Sequence, residues 1–177
     1  MDLKLKDKVV VITGATGGIG EAVTKAFCNE DSKLALTSTS QEKIDKLMKE
    51  LGNPSEDRVR GYVLDITDEE AVKETIEKVV NDFGSIYSLV ANAGYNGDYQ
   101  EVKDSTKENY EKVFDVNVYG VLYTMKYVIP HLVEEGKGSI VALGSEGSYV
   151  GAPGMGAYVA SKHAVAAIIK TAAMEVG

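Results

Sequence analysis

The stretch "KVVVITGATGGIG", Lys8 to Gly20, decides the fold. Val9, Val10, Val11 and Ile12 follow one another without polar alternation, which suits a strand covered on both faces. The strand runs directly into a turn holding Gly14, Gly18 and Gly20, and the turn opens a helical pattern over roughly 18–30. Glycine permits a tight turn and close backbone approach, and a helix N-terminus favours an anion such as a pyrophosphate. A plain strand-to-helix connection would use the same residues, so the rest of the chain has to discriminate.

Four further apolar runs follow: "KLALTS" (33–38), "RVRGYVLD" (58–65), "SIYSLVA" (85–91) and "GSIVALGS" (138–145). Between them lie helical patterns over 41–51, 68–83, 106–135 and 157–176. Thr67 is the expected N-cap of the third helix, with acids in its first turn. Ser105 and Glu108 form the expected capping box of the fourth, and Pro130 should kink or tighten its last turn. This alternation predicts a single βαβ domain over 1–177, with a parallel sheet between two helical layers. There is no repeat and no linker.

Ligands of open parallel sheets bind beyond the carboxyl ends of the strands. Small, glycine or hydrogen-bonding residues stand at all five such mouths. They are "TGATGGIG" (13–20), "STSQ" (38–41), Asp65-Ile66, "NAG" (92–94) and Ser145. Independent structural turns would not need to agree so well, and together these residues describe one crevice lined for a dinucleotide. Tyr158 and Lys162 follow the fifth run at i and i+4, so they share a helix face. A second Tyr-x-x-x-Lys, Tyr99 to Lys103, lies in a polar loop and reads as chance.

These motifs, in this order and spacing, resemble the classical branch of the short-chain dehydrogenase/reductase family, from about Lys6 to the end of the chain. The matching residues are "TGATGGIG", Asp65-Ile66, "NAG", Asn117 in "DVNVYG", Ser145 and "YVASK" (158–162). The resemblance implies a Rossmann-type doubly wound sheet whose five strands here take the order 3-2-1-4-5. It implies an NAD(P)-dependent oxidoreductase interconverting secondary alcohols and ketones. Gly14, Thr16, Gly18, Ile19 and Gly20 would hold the phosphates, Asp65 and Ile66 the adenine, and Asn92, Ala93 and Gly94 the floor of the cleft. Tyr158 would be the acid/base, Ser145 the hydrogen-bond donor to the reacting oxygen, and Lys162 the partner of Tyr158 and of the nicotinamide ribose. Asn117 would hold a water that links the lysine to solvent. The physics agrees: a phenol with a pKa near ~10 is a poor base at neutral pH, and an adjacent ammonium favours the phenolate.

Positions 37–40 are Thr, Ser, Thr and Ser. No carboxylate is there to accept bonds from a ribose 2′-hydroxyl, and Ser38 and Thr39 can donate to a phosphate. That favours NADP over NAD. The family's NADP users often carry Arg or Lys where this chain has Gly17 or Thr39, and neither is basic here.

The net charge of −8 argues against nucleic-acid or anionic-membrane partners. The lone Cys28 excludes an internal disulfide. No signal peptide or apolar run of about 20 residues is evident, so a cytoplasmic protein with a small-molecule substrate is expected. His131 and His163 have no partners at metal-ligand spacing, and no metal is expected. The resemblance further implies a homo-oligomer, dimer or tetramer. Family members normally continue beyond the point matching Gly177 with further strands and a helix over the substrate. A fragment, or a nucleotide-binding domain without turnover, is therefore the alternative expectation. In that case "GSIVALGS" would be an exposed edge and the chain would associate or dissolve poorly.

Overall fold

The computed structural model describes residues 3–177. Five parallel strands form one sheet in the order β3-β2-β1-β4-β5. They are β1 (Val9–Ile12), β2 (Lys33–Ser38), β3 (Val59–Val63), β4 (Ser88–Ala91) and β5 (Ser139–Ala142). The helices are α1 (Gly18–Asn29), α2 (Gln41–Glu50), α3 (Glu69–Phe83), α4 (Lys107–Phe114), α5 (Gly120–Glu134) and α6 (Gly156–Val176).

The unbroken apolar runs are explained by helical cover on both faces. Alternate side chains of a strand point to opposite faces. Val9, Val11 and Ala35 accordingly join one core with Ile76, Val79, Val121 and Val128. Val10, Ile12, Leu34 and Leu36 join a second core with Leu47, against which Val23 and Phe27 of α1 pack. All four residues of β1 are buried, as are all four of β4. β5 differs: Ser139 and Val141 are exposed.

Three local expectations are corrected. The N-cap of α3 is Asp68, whose side chain accepts from Ala71 N, and not Thr67. The N-cap of α4 is Thr106, accepting from Asn109 N, while Ser105 donates to Glu101 O. In both cases two adjacent residues can cap, and the helix face that must be buried chooses between them. The single helix read over 106–135 is in fact α4, a π-helical turn over Asp115–Tyr119, and α5. The interruption sits at Asn117 and not at Pro130, beyond which α5 continues to Glu134.

Candidate active site

The carboxyl ends of β1 and β4 meet at a mutual lock. Thr13 Oγ1 accepts from the backbone N–H groups of Asn92 and Ala93 at 3.0 and 3.1 Å. The Asn92 amide donates back to Thr13 O and Gly14 O, both at 3.0 Å. Gly14 has φ +62, and a Cβ there would stand 2.8 Å from Ala93 Cα, so the two strand ends close only over glycine. A Cβ at Gly20 would stand 2.2 Å from Gly14 O. Gly18 is different, because a Cβ there meets nothing within 4 Å. Packing alone does not require a glycine at 18. The first turn of α1 has no side-chain cap, and its N-terminal N–H groups face the same opening.

That opening is a cleft of about 600 Å³ along the strand mouths. All fourteen residues read from the sequence as cofactor contacts line it: Gly14, Thr16, Gly18, Ile19, Gly20, Ser38, Thr39, Asp65, Ile66, Asn92, Ala93, Gly94, Tyr158 and Lys162. At the mouth of β2 Ser38 is buried, its Oγ 2.7 Å from Thr16 Oγ1, while Thr39 is exposed. Asp65 Oδ1 accepts from Thr67 N and Thr67 Oγ1 at 2.9 and 2.8 Å. Ile66 is buried because Gly120 makes room for it; a Cβ at 120 would fall 2.5 Å from Ile66 Cδ1. Sequence reading missed Lys43, Gly17, Leu143 and Asn96 among others, which share the cleft. Lys43 was recognisable in principle as a cation in the first turn after the second strand.

At the other end Lys162 is 5% exposed. Its ammonium donates to Leu143 O at 2.7 Å and lies 5.7 Å from the centroid of the Tyr158 ring. Burial lowers its pKa from the ordinary 10.5. Ser145 stands where β5 ends and caps a short 3-10 turn, Glu146–Ser148. Its Oγ accepts from Gly147 N at 3.1 Å, and its own N–H donates to Ser148 Oγ at 3.1 Å. One of the two lone pairs of the Ser145 hydroxyl is thereby used, and its proton is left to donate. Ser145 flanks the cleft; a Cβ at the neighbouring Gly147 would lie 3.5 Å from Ser145 Oγ and 3.7 Å from Tyr158 Cε1.

Asn117 does not line the cleft. It is fully buried in the π turn. Its Oδ1 accepts from Tyr95 N at 2.7 Å, and its Nδ2 donates to Tyr95 O and to Ser161 Oγ, both at 2.9 Å. It therefore ties the segment after "NAG" to the helix that carries Tyr158 and Lys162. A Cβ at Gly94 would stand 3.4 Å from Asn117 Oδ1 and 3.8 Å from Lys162 Nζ. Asn109, which sequence reading did not single out, repeats the arrangement eight residues earlier. Its amide accepts from Asp98 N at 2.9 Å and donates to Asp98 O at 3.0 Å and to Gln100 Oε1 at 3.2 Å. Gln100 N in turn donates to Gly154 O at 2.8 Å, just ahead of α6. Tyr99 belongs to this loop and Lys103 to a 3-10 turn, where Lys103 pairs with Glu101 at 3.2 Å; they form no second site. Among the described residues no group of three or more His, Cys, Asp or Glu side chains could hold a metal ion.

A family model described as short chain dehydrogenase matches residues 8–177. Over 98% of its length the chain is 39% identical to a 3-oxoacyl-[acyl-carrier-protein] reductase of Thermotoga maritima, and it covers 70% of that protein. It is 32% identical to (+)-borneol dehydrogenase 2 of Salvia officinalis, covering 62% of it. Among solved structures, NAD+-bound xylitol dehydrogenase superposes with a TM-score of 0.92 at 36% identity, over 98% of this chain and 66% of that one. A structure of ElxO with NADP bound gives 0.90 at 34% identity, over 96% of this chain and 68% of that one. The chain thus spans roughly two thirds of the length of these proteins, and in some cases less.

Proposed function

The chain belongs to the short-chain dehydrogenase family, and on that premise we propose that it interconverts a secondary alcohol and its ketone with a nicotinamide dinucleotide, Tyr158 acting as acid and base. The observation that carries the reading is the placing of Tyr158 and Lys162 in one cleft with the glycine turn of β1. The free space at Gly18 and the uncapped start of α1 suit a pyrophosphate. The names of the related proteins, a 3-oxoacyl reductase, a borneol dehydrogenase and a xylitol dehydrogenase, fit one chemistry on varied substrates. The substrate class is therefore stated by its reacting group, a secondary alcohol or ketone.

The cofactor, when bound, supplies or accepts the hydride. The chain's residues do the rest. Ser145 donates its hydroxyl proton to the substrate oxygen, while Gly147 N holds one of its lone pairs and so fixes the side chain. Tyr158 gives a proton to that oxygen in reduction and takes it back in oxidation. The Lys162 ammonium, fixed by Leu143 O, favours the phenolate by its charge. Asn117 acts at one remove: it positions Tyr95 and Ser161 and so the frame in which Lys162 sits.

The test is direct. NADPH and NADH are titrated by fluorescence, and a panel of ketones is assayed for cofactor oxidation. Binding of either cofactor with ketone-dependent turnover is expected. Failure of both cofactors to bind overturns the reading, and binding without any turnover across the panel overturns the catalytic part.

A further inference from the structure

The adenine end of the cleft carries a cation that no motif announces. Lys43 lines the cleft with Thr16, Ser38 and Thr39. It is the third residue of α2, and Cα–Cβ bonds in a helix tilt toward its N-terminus. The stem of Lys43 therefore leans back toward the turn at Ser38–Ser40, whose Ser40 Oγ accepts from Lys43 N at 3.3 Å. Lys43 is exposed.

The acids that could neutralise Lys43 along its own helix are engaged elsewhere. Glu50 holds Lys25 at 3.2 Å and Lys46 at 3.8 Å, and Asp45 accepts from Gln41 Nε2 at 2.7 Å. Glu42 is the neighbour in sequence, and i,i+1 side chains do not face each other. Among the described residues Lys43 takes part in no ion pair closer than 4 Å, the distance that admits the twelve such pairs from Lys25–Glu21 to Lys137–Glu135. Asp65 is the one carboxylate lining the cleft, and its Oδ1 is held by Thr67. The mouth of β2 itself offers only hydroxyls, and those of Ser38 and Ser40 are already hydrogen-bonded within the turn. A ribose whose 2′ position is a neutral hydroxyl finds no carboxylate acceptor here, whereas a 2′-phosphate finds an uncompensated ammonium and the exposed hydroxyl of Thr39.

We infer that Lys43 is the specificity-determining residue for a nucleotide bearing a ribose 2′-phosphate. The inference rests on the nicotinamide-dinucleotide reading above and adds the residue that chooses between its two forms. Lys43 touches only the adenosine side, so it has no part in hydride or proton transfer. Its contribution is that of an exposed ion pair, modest and weakened by salt.

The experiment titrates the unmodified protein, Lys43→Gln and Lys43→Arg with NADPH and NADH at low and high salt. Adenosine 2′,5′-bisphosphate and 5′-AMP serve as probes that lack the nicotinamide. Expected is tighter binding of NADPH than NADH by the unmodified protein. Lys43→Gln should weaken NADPH and the bisphosphate about three- to fivefold and leave NADH and 5′-AMP within twofold. Lys43→Arg should restore the preference, and high salt should shrink it. Equal weakening of both cofactors, an unchanged preference in Lys43→Gln, or an NADH preference in the unmodified protein overturns the inference while leaving the cofactor reading intact. Failure of all four probes to bind sinks the cofactor reading instead, and this inference with it.

Discussion

The two ends of the cleft are built on opposite plans. At the end of Tyr158, itself half-buried, the neighbouring side chains are tied down: Asn117 is buried and makes three hydrogen bonds, Lys162 is 5% exposed and fixed to Leu143 O, and the half-buried Ser145 sits in its own capping box. At the Ser38 end, Ile19, Thr39, Lys43 and Asp65 are exposed, although Ser38 and Ile66 are buried. On the proposed reading the difference follows from the tasks. Proton transfer requires reacting groups held in line, where a misplacement of about 1 Å can cost on the order of 10²-fold. Recognition of a charged, flexible nucleotide end tolerates adaptable side chains in water. Binding and turnover should therefore fail separately when the two ends are altered.

The sharpest break is Tyr158→Phe. Loss of a general acid/base is expected to lower turnover by roughly 10²- to 10⁴-fold. The ring remains beside Lys162, so the dissociation constant for NADPH should stay within about twofold. Turnover close to that of the unmodified protein would show that the proton comes from elsewhere, and that the buried end is structural only.

Next in size is a pair of glycine variants in one turn. In Gly20→Ala the new methyl would meet Gly14 O, Asn92 Nδ2 and Ala15 Cα, all inside 3 Å. Overpacking of that kind costs about 1–3 kcal/mol, so the melting temperature should fall and cofactor binding with it. In Gly18→Ala the methyl meets no protein atom. The melting temperature should hold while cofactor affinity drops, because the methyl then occupies the ligand's space. If Gly18→Ala binds cofactor normally, the phosphates do not lie over the start of α1.

The fold was legible because each level of the chain repeats the same statement. Apolar runs, several of them without polar alternation, imply two covered faces, and glycines or hydrogen-bonding residues at every strand mouth imply one shared cleft. What was not legible depends on partners distant in sequence. Periodicity reads 106–135 as one helix, whereas Asn117 makes a π turn there by bonding Tyr95, 22 residues away, and Ser161, 44 away. Asn109 stands in a polar helix start and belongs to no motif, yet it is 95% buried against Asp98 and Gln100. Lys43 escaped notice because a lysine on an amphipathic helix is ordinary until the cleft is seen to reach it.

Asn117 and Asn109 refine the comparison, since both clamp the same loop. Asn117→Ala would leave Tyr95 N and O without their partner and Ser161 Oγ with its bond to Tyr158 O alone; a buried group deprived of its hydrogen bond costs about 1–3 kcal/mol. Asn109→Ala strands Asp98 N and O at the rim, nearer to water, and should cost less. Chemical denaturation gives the two values, and amide exchange at Tyr95, Asp98 and Gln100 locates the loosening. Exchange unchanged at Tyr95 in Asn117→Ala would contradict the assigned clamp.

The smallest effect concerns the charge buried beside Tyr158. Burial holds the Lys162 pKa below its ordinary 10.5 in the folded chain. Between that lowered value and 10.5 the unfolded chain binds more protons than the folded one, so stability gains with rising pH across that window. At lower pH the full cost of burying the ammonium is present; above 10.5 it is gone. Lys162→Met removes the titration, and every other ionisable group is common to both proteins. The melting temperature of the unmodified protein minus that of Lys162→Met should therefore become more positive as pH rises toward 10.5. A flat difference would mean that the ammonium is as well solvated as an exposed one. The contrast between a desolvated Tyr158 end and a wet Ser38 end would then have lost its electrostatic half.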